Sequence, residues 1–151
     1  MYVLVFEIAD RRLALPAATL REVVRAVAIA ALPKAPAIVE GVINLRGTLV
    51  PVLDLRRRFE LSPLPLAPDQ HFIITQSGPR LVALRVDRAL DVVAVDENAI
   101  ATAASVAPGA EHVAGIVRLP DGLLVIHDLE RFLSGDEARQ LDAAVTAERE
   151  R

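Results

Sequence analysis

The chain has 151 residues, 53% apolar but only 3% aromatic, with 17 Lys or Arg against 20 Asp or Glu for a net charge of −3. That is enough for one compact domain, or two very small ones, around an aliphatic core, and it lacks the basic stripe and stacking aromatics of a nucleic-acid binder. Cysteine is absent, which removes disulfides, thiolate zinc sites and thiol nucleophiles, and no apolar run approaches the ~20 residues needed to cross a bilayer.

Short apolar runs punctuated by turn residues predict an all-β chain with short helices. Tyr2 to Ile8 predicts a strand. With Glu7 and Asp10 at once and no basic leader, it does not read as a signal peptide. Asp10-Arg11-Arg12 predicts a turn, Leu13 to Leu15 a short strand stopped by Pro16, and Ala17 to Leu20 a helical turn. Val23 to Ile29 is strand-like, followed by a loop through Pro33, Lys34 and Pro36. Val39 to Leu45 and Thr48 to Leu53 form a hairpin around Arg46-Gly47. Pro51 has no ladder donor, which predicts an edge strand or a bulge there. Asp54 is placed to cap a short helix over Leu55 to Phe59.

Leu61 to Asp69, with three prolines, is linker-like. Strands follow near Gln70 to Gln76, Arg80 to Val86 and Leu90 to Val95, with a first turn at Ser77-Gly78-Pro79. Residues 96–111 are looser. Val113 to Leu119 and Leu123 to Ile126 predict another hairpin, around Pro120-Asp121-Gly122. Asp128 would cap a helix over Leu129 to Leu133. Ser134 with Glu137 predicts a capping box opening a last helix, with Ala138, Leu141 and Val145 on one face. The charged segment Thr146 to Arg151 is expected to fray.

The two halves repeat. At an offset of 74, Val39, Gly41, Leu45, Leu49, Asp54, Leu55 and Arg57 meet Val113, Gly115, Leu119, Leu123, Asp128, Leu129 and Arg131, seven identities in 21 positions. Upstream, an offset of 69 aligns Arg11, Leu15, Val23 and Val24 with Arg80, Leu84, Val92 and Val93, while Glu22 meets Asp91. The repeat predicts two similar β modules, with blocks at about 11–59 and 80–133, each too small to be secure alone and sharing an interface with a groove. They make one domain over 1–135, followed by a C-terminal helix and tail over 136–151.

The densest motif is Gly41-Val42-Ile43-Asn44-Leu45-Arg46-Gly47 followed by Val50-Pro51-Val52-Leu53-Asp54-Leu55-Arg56. It reads as strand, tight turn, strand and capped helix, with Arg46 projecting from the turn. This stretch resembles the signature of the CheW family of chemotaxis coupling proteins. Leu20-Arg21-Glu22-Val23-Val24, the pair Val86-Asp87 with Asp91-Val92-Val93, and Gly115 through Leu133 resemble other family segments, so the resemblance runs from about Val3 to Leu133. Ala17 and Ala18 depart from the bulkier or polar residues frequent there.

The resemblance implies two intertwined five-stranded SH3-like β-barrels with a hydrophobic groove between them, and an adaptor without catalytic residues, cofactor or metal. It implies a cytoplasmic protein at receptor arrays of the inner membrane, without direct membrane insertion. There it would link the cytoplasmic tips of methyl-accepting chemoreceptors to the regulatory domain of a CheA-type histidine kinase. The expected partner-binding residues are Leu20, Glu22, Val23, Ile43, Asn44, Leu45, Arg46, Gly47 and Val50. Glu22 and Arg46 are expected to form a partly shielded ion pair beside the groove, and the aliphatic members to be buried on binding.

Other readings share some of these features. The same fold could serve a chemosensory pathway controlling pili, second messengers or gene expression, or act as a free-standing barrel that binds peptides or RNA. Leu49 to Asp54 also looks like the strand of a phosphoacceptor receiver ending at Asp54. Receiver chemistry needs a lysine well after the aspartate, and the only lysine, Lys34, precedes it. His71, His112 and His127 lack the short spacing of a helical metal site.

Overall fold

The computed structural model describes residues 1–101, 113–120, 122–128 and 132–150. Its strands are β1 (Tyr2–Ile8), β2 (Arg11–Pro16), β3 (Leu20–Arg25), β4 (Val39–Leu45), β5 (Thr48–Asp54), β6 (His71–Ser77), β7 (Arg80–Val86), β8 (Arg88–Ala94), β9 (Ile100–Ala101), β10 (Val113–Leu119) and β11 (Gly122–His127). A one-turn helix α1 (Leu55–Arg58) follows β5, and α2 (Gly135–Arg149) is last. One sheet has the order β8-β1-β2-β11-β10-β9 and the other β3-β6-β7-β5-β4.

The repeat governs this topology in an exchanged form. By the sequence offsets, β1 to β5 correspond to β6, β7, β8, β10 and β11. Each sheet takes its first two equivalents from one half of the chain and the other three from the opposite half. Even the register repeats. Val23 pairs Ile73 as Val92 pairs Leu4, and the parallel pair Val52–Ala83 matches Ile126–Ala14. A bulge between Val39 and Gly41 recurs between Val113 and Gly115.

Both sheets close into barrels by one device. The chain beyond β3 returns to β4 through a bridge between Ala30 and Val42, with the Ala30 amide donating to the Val42 carbonyl at 2.9 Å and the reverse bond at 2.8 Å. In the other half, β9 plays that part against β10, where Ala101 faces Ile116. The duplicated glycines sit at these closures. A Cβ on Gly41 would lie 2.1 Å from the Ala30 carbonyl oxygen, and one on Gly115 would lie 2.3 Å from the Ile100 side chain.

Among the described residues, three clusters of buried side chains form the core. Val3, Val5, Ala14, Val117, Leu124 and Ile126 fill the first barrel. Ile43, Val50, Val52, Phe72, Ile74 and Ala83 fill the second. The largest joins the two sheets: Leu4, Phe6, Ile8, Leu13 and Leu15 from one meet Leu53, Ile73, Val82, Leu84 and Val86 from the other. Strands such as β1 are therefore buried on both faces. This is why Tyr2 to Ile8 is a continuous apolar run rather than an alternating one. Aliphatic side chains pack this junction, and a cavity of about 280 Å³ beside it is lined by Ile8, Leu13 and Val125 of one sheet and by Phe59 and Leu61 at the end of α1.

Several expectations need correction. The first turn is Ala9-Asp10, with φ of 52° and 64°, and not Asp10 to Arg12. Arg11 and Arg12 instead open β2, opposite Ile8 and Glu7. β3 ends at Arg25, short of the strand expected to run to Ile29. Pro51 lies on an interior strand, between β4 and β7. The missing donor is tolerated because pairing with β7 starts only at Val52. On the β4 side, alternation from the Leu45–Thr48 pair makes Val42–Pro51 a pair without ladder bonds. The caps at Asp54 and Ser134 form as expected, and α2 stays helical to Arg149, into the segment expected to fray. His112, most of residues 96–111 and residues 129–131 of the helix expected after Asp128 lie outside the described residues.

Gly41→Ala tests the closure. The added methyl meets backbone, which cannot rotate away, so overpacking is expected to cost about 1–3 kcal/mol or more in denaturant unfolding. Gly135→Ala is the control: its Cβ meets only the flexible end of Arg139, 3.4 Å away, and its effect is expected within about 0.5 kcal/mol.

Candidate functional site

The β4–β5 turn places Arg46 and Gly47 at φ of 50° and 89°. Two successive positive values match the right-handed twist of the flanking strands. The Gly47 amide donates to Asn44 Oδ1 at 2.7 Å, so Asn44 works as the clamp of the turn. Arg46 Nη2 in turn donates to Glu22 Oε1 on β3. β3 and β4 are the two ends of their sheet, so this ion pair spans the seam of the second barrel. The shielding is one-sided: the Arg46 side chain is 72% exposed and that of Glu22 31%. An exposed pair of this kind is worth only ~0–1 kcal/mol, so it orients the arginine rather than holding the barrel together.

An open groove of about 760 Å³ begins at this pair. Leu45, Arg46, Thr48 and Leu49 of the hairpin line one side, and Leu141, Asp142, Val145, Thr146 and Arg149 of α2 the other. Arg21, Glu22, Arg80 and Leu81 complete the rim. α2 is seated by buried Leu141 and Ala144 and by two ion pairs. Arg80 Nε and Nη2 donate to the two Asp142 carboxylate oxygens at 3.0 and 2.8 Å, and Arg58 Nη2 donates to both Glu137 oxygens at 2.6 and 2.7 Å. The Asp142 hydrogen bond holds the Arg80 guanidinium above its ordinary pKa, with burial opposing. Burial pushes the Glu137 carboxyl up, but the Ser134 amide and the Arg58 guanidinium outweigh it, and the net shift is downward.

The expected site residues divide into three groups. Glu22, Leu45 and Arg46 meet at the groove. Leu20 packs partly against the central core, and Val23 is 38% exposed on β3, both outside the groove lining. Ile43 and Val50 correct the expectation. At 4% and 0% exposure they are interior residues of the second barrel, so no partner can bury them further. Asn44 and Gly47 act through the turn. The α2 wall was not among the expected site residues: the Ala138 to Val145 face could bind a partner but reads more readily as the cover of a barrel end, and Asp142 carried no signal.

A family model described as the CheW-like domain matches residues 2–137. The chain belongs to the CheW-like domain family. Among relatives, it is 30% identical to the chemotaxis protein CheW of Treponema pallidum over 127 residues, 80% of this chain and 75% of that one. It is 31% identical to the chemotaxis protein CheW of Klebsiella aerogenes over 109 residues, 71% and 66% of the two chains. The crystal structure of the scaffolding protein TtCheW from Thermoanaerobacter tengcongensis superposes with a TM-score of 0.81 at 31% identity, covering 90% of this chain and 94% of that one. This CheW-like domain is thus an all-β chain of two SH3-like barrels with a C-terminal helix. No helix among the described residues is long and apolar enough to cross a membrane.

Two outcomes follow from these geometries. Arg46→Ala is expected to change unfolding stability by no more than about 1 kcal/mol, measured by denaturant titration. Glu137 is more acidic folded than unfolded, so the unfolded chain binds its proton more readily. Its contribution is present above the ordinary value of 4.5 and lost as pH falls through the lower folded value. The stability gap between wild type and Glu137→Gln should therefore shrink on acidification below 4.5, and an unchanged gap would refute the linkage.

Proposed function

We propose that this CheW-like domain is a non-catalytic cytoplasmic adaptor in chemotaxis signalling. It couples the cytoplasmic tips of methyl-accepting chemoreceptors to the regulatory domain of a CheA-type histidine kinase beneath the inner membrane. The observation that carries this reading is the Arg46–Glu22 pair at the mouth of an open, partly apolar groove. The pair belongs to the segments through which the chain resembles its family. A scaffold needs accessible anchors on a rigid frame, and here a clamped turn and a closed barrel supply the frame.

Leu20, Glu22, Val23, Leu45 and Arg46 are the contact residues of this reading. Asn44 and Gly47 set the turn, and Ile43 and Val50 support the hairpin from inside. Asp54 is better explained as a cap than as a phosphoacceptor, because its Oδ1 accepts from the Arg57 amide at 3.3 Å.

Capture experiments with a kinase regulatory domain and a receptor-tip fragment test the proposal. The wild-type chain is expected to retain both, and Arg46→Ala to weaken at least one by about tenfold. Capture of neither by the wild type would refute the adaptor reading. Unchanged capture by Arg46→Ala would remove Arg46 from the site.

A further inference from the structure

The groove carries a charge opposite to that of the whole chain. Four arginines line it, Arg21, Arg46, Arg80 and Arg149, against two carboxylates, Glu22 and Asp142. Those carboxylates are taken by Arg46 and Arg80. Arg21 and Arg149 have no carboxylate partner among the described residues, although the chain as a whole is at −3. They stand on separate elements, β3 and the last turn of α2. Between them lies an apolar lining that includes Leu45, Leu49, Leu81, Leu141 and Val145.

We infer that the groove between the β4–β5 hairpin and α2 takes a partner segment with an apolar stripe flanked by carboxylates, which Arg21 and Arg149 receive. The inference rests on the adaptor reading and names the chemistry of one of its partners. An amphipathic helix is the segment that offers both groups at once: its stripe fills the groove while its flanking acids reach the rim. The two exposed arginines add selectivity, because they repel a like-charged flank and gain no ion pair from an uncharged one. α2 thereby becomes a specificity wall rather than a cover for the barrel end. Its pairing through Asp142 leaves Arg149, two turns further on, for the partner.

The chain has no cysteine, so Thr146→Cys provides a single labelling point on the exposed groove wall. With an environment-sensitive fluorophore there, the full chain is titrated with a synthetic amphipathic helical peptide whose leucine stripe is flanked by glutamates. A second titration uses the same peptide with glutamines. The glutamate peptide is expected to bind at least about tenfold tighter, and Arg21→Gln/Arg149→Gln to abolish that preference while retaining the wild-type unfolding midpoint. Equal affinity for the two peptides, no binding of either, or an undiminished preference in the double variant would overturn the inference.

Capture of the receptor-tip fragment and the kinase regulatory domain is measured in parallel. Wild type and double variant capturing both partners equally well would overturn the groove inference alone. Wild type capturing neither would overturn the adaptor reading and this inference with it.

Discussion

The closure of each barrel depends on one close approach of backbone to backbone. Past β3 the chain crosses over β4 and bonds Val42 through Ala30, and this is possible because Gly41 has no side chain to stand in the way. Gly115 makes room where β9 meets β10, there chiefly for the Ile100 side chain. Without those crossings the edges of β4 and β10 would present free donors and acceptors, a surface that invites pairing with other chains. With them, each sheet becomes a barrel with a filled interior, and the hairpin bearing Arg46 is held at a defined place on it.

The exchange of strands between the halves makes the two barrels one folding unit. Neither half of the sequence contains a complete sheet, so neither can bury its apolar faces without the other. Asp87, the single residue between β7 and β8, marks one crossing from sheet to sheet. Its amide donates to the Glu7 carbonyl at 3.0 Å, and its carboxylate accepts from the Ala9 amide at 2.9 Å and from Arg56 at 2.7 Å. That one side chain ties the β1–β2 turn and α1 to the corner. The carboxylate is satisfied by an amide and a guanidinium at a partly buried place, where an unpaired charge would be costly.

The groove shows how a stable frame and an adaptable surface coexist. Its hairpin side is set by Asn44, which accepts from the Gly47 amide, and carries Arg46 oriented by Glu22. Its far wall is a helix attached by a few buried side chains and by ion pairs whose contribution responds to pH and salt. Substitutions on α2 change the chemistry of the groove without touching the barrel cores.

Much of the local structure was legible in the sequence, the first turn and the end of β3 excepted. The continuous runs of β1, β6 and β7, the Arg46-Gly47 turn, and the caps at Asp54 and Ser134 are properties of a few neighbouring residues, and each was legible. The repeat was legible too, down to the matched glycines, because closure demands the same small residue in both halves. Partnership between distant segments was not legible. Strand order is set by which apolar faces meet, and aliphatic strands of similar composition do not declare their partners. The exchange of strands, the interior place of β5 despite Pro51, and the burial of Ile43 and Val50 therefore emerged only in three dimensions. So did the α2 wall, since the meeting of Asp142 with Arg80 across 62 residues leaves no local periodicity to read.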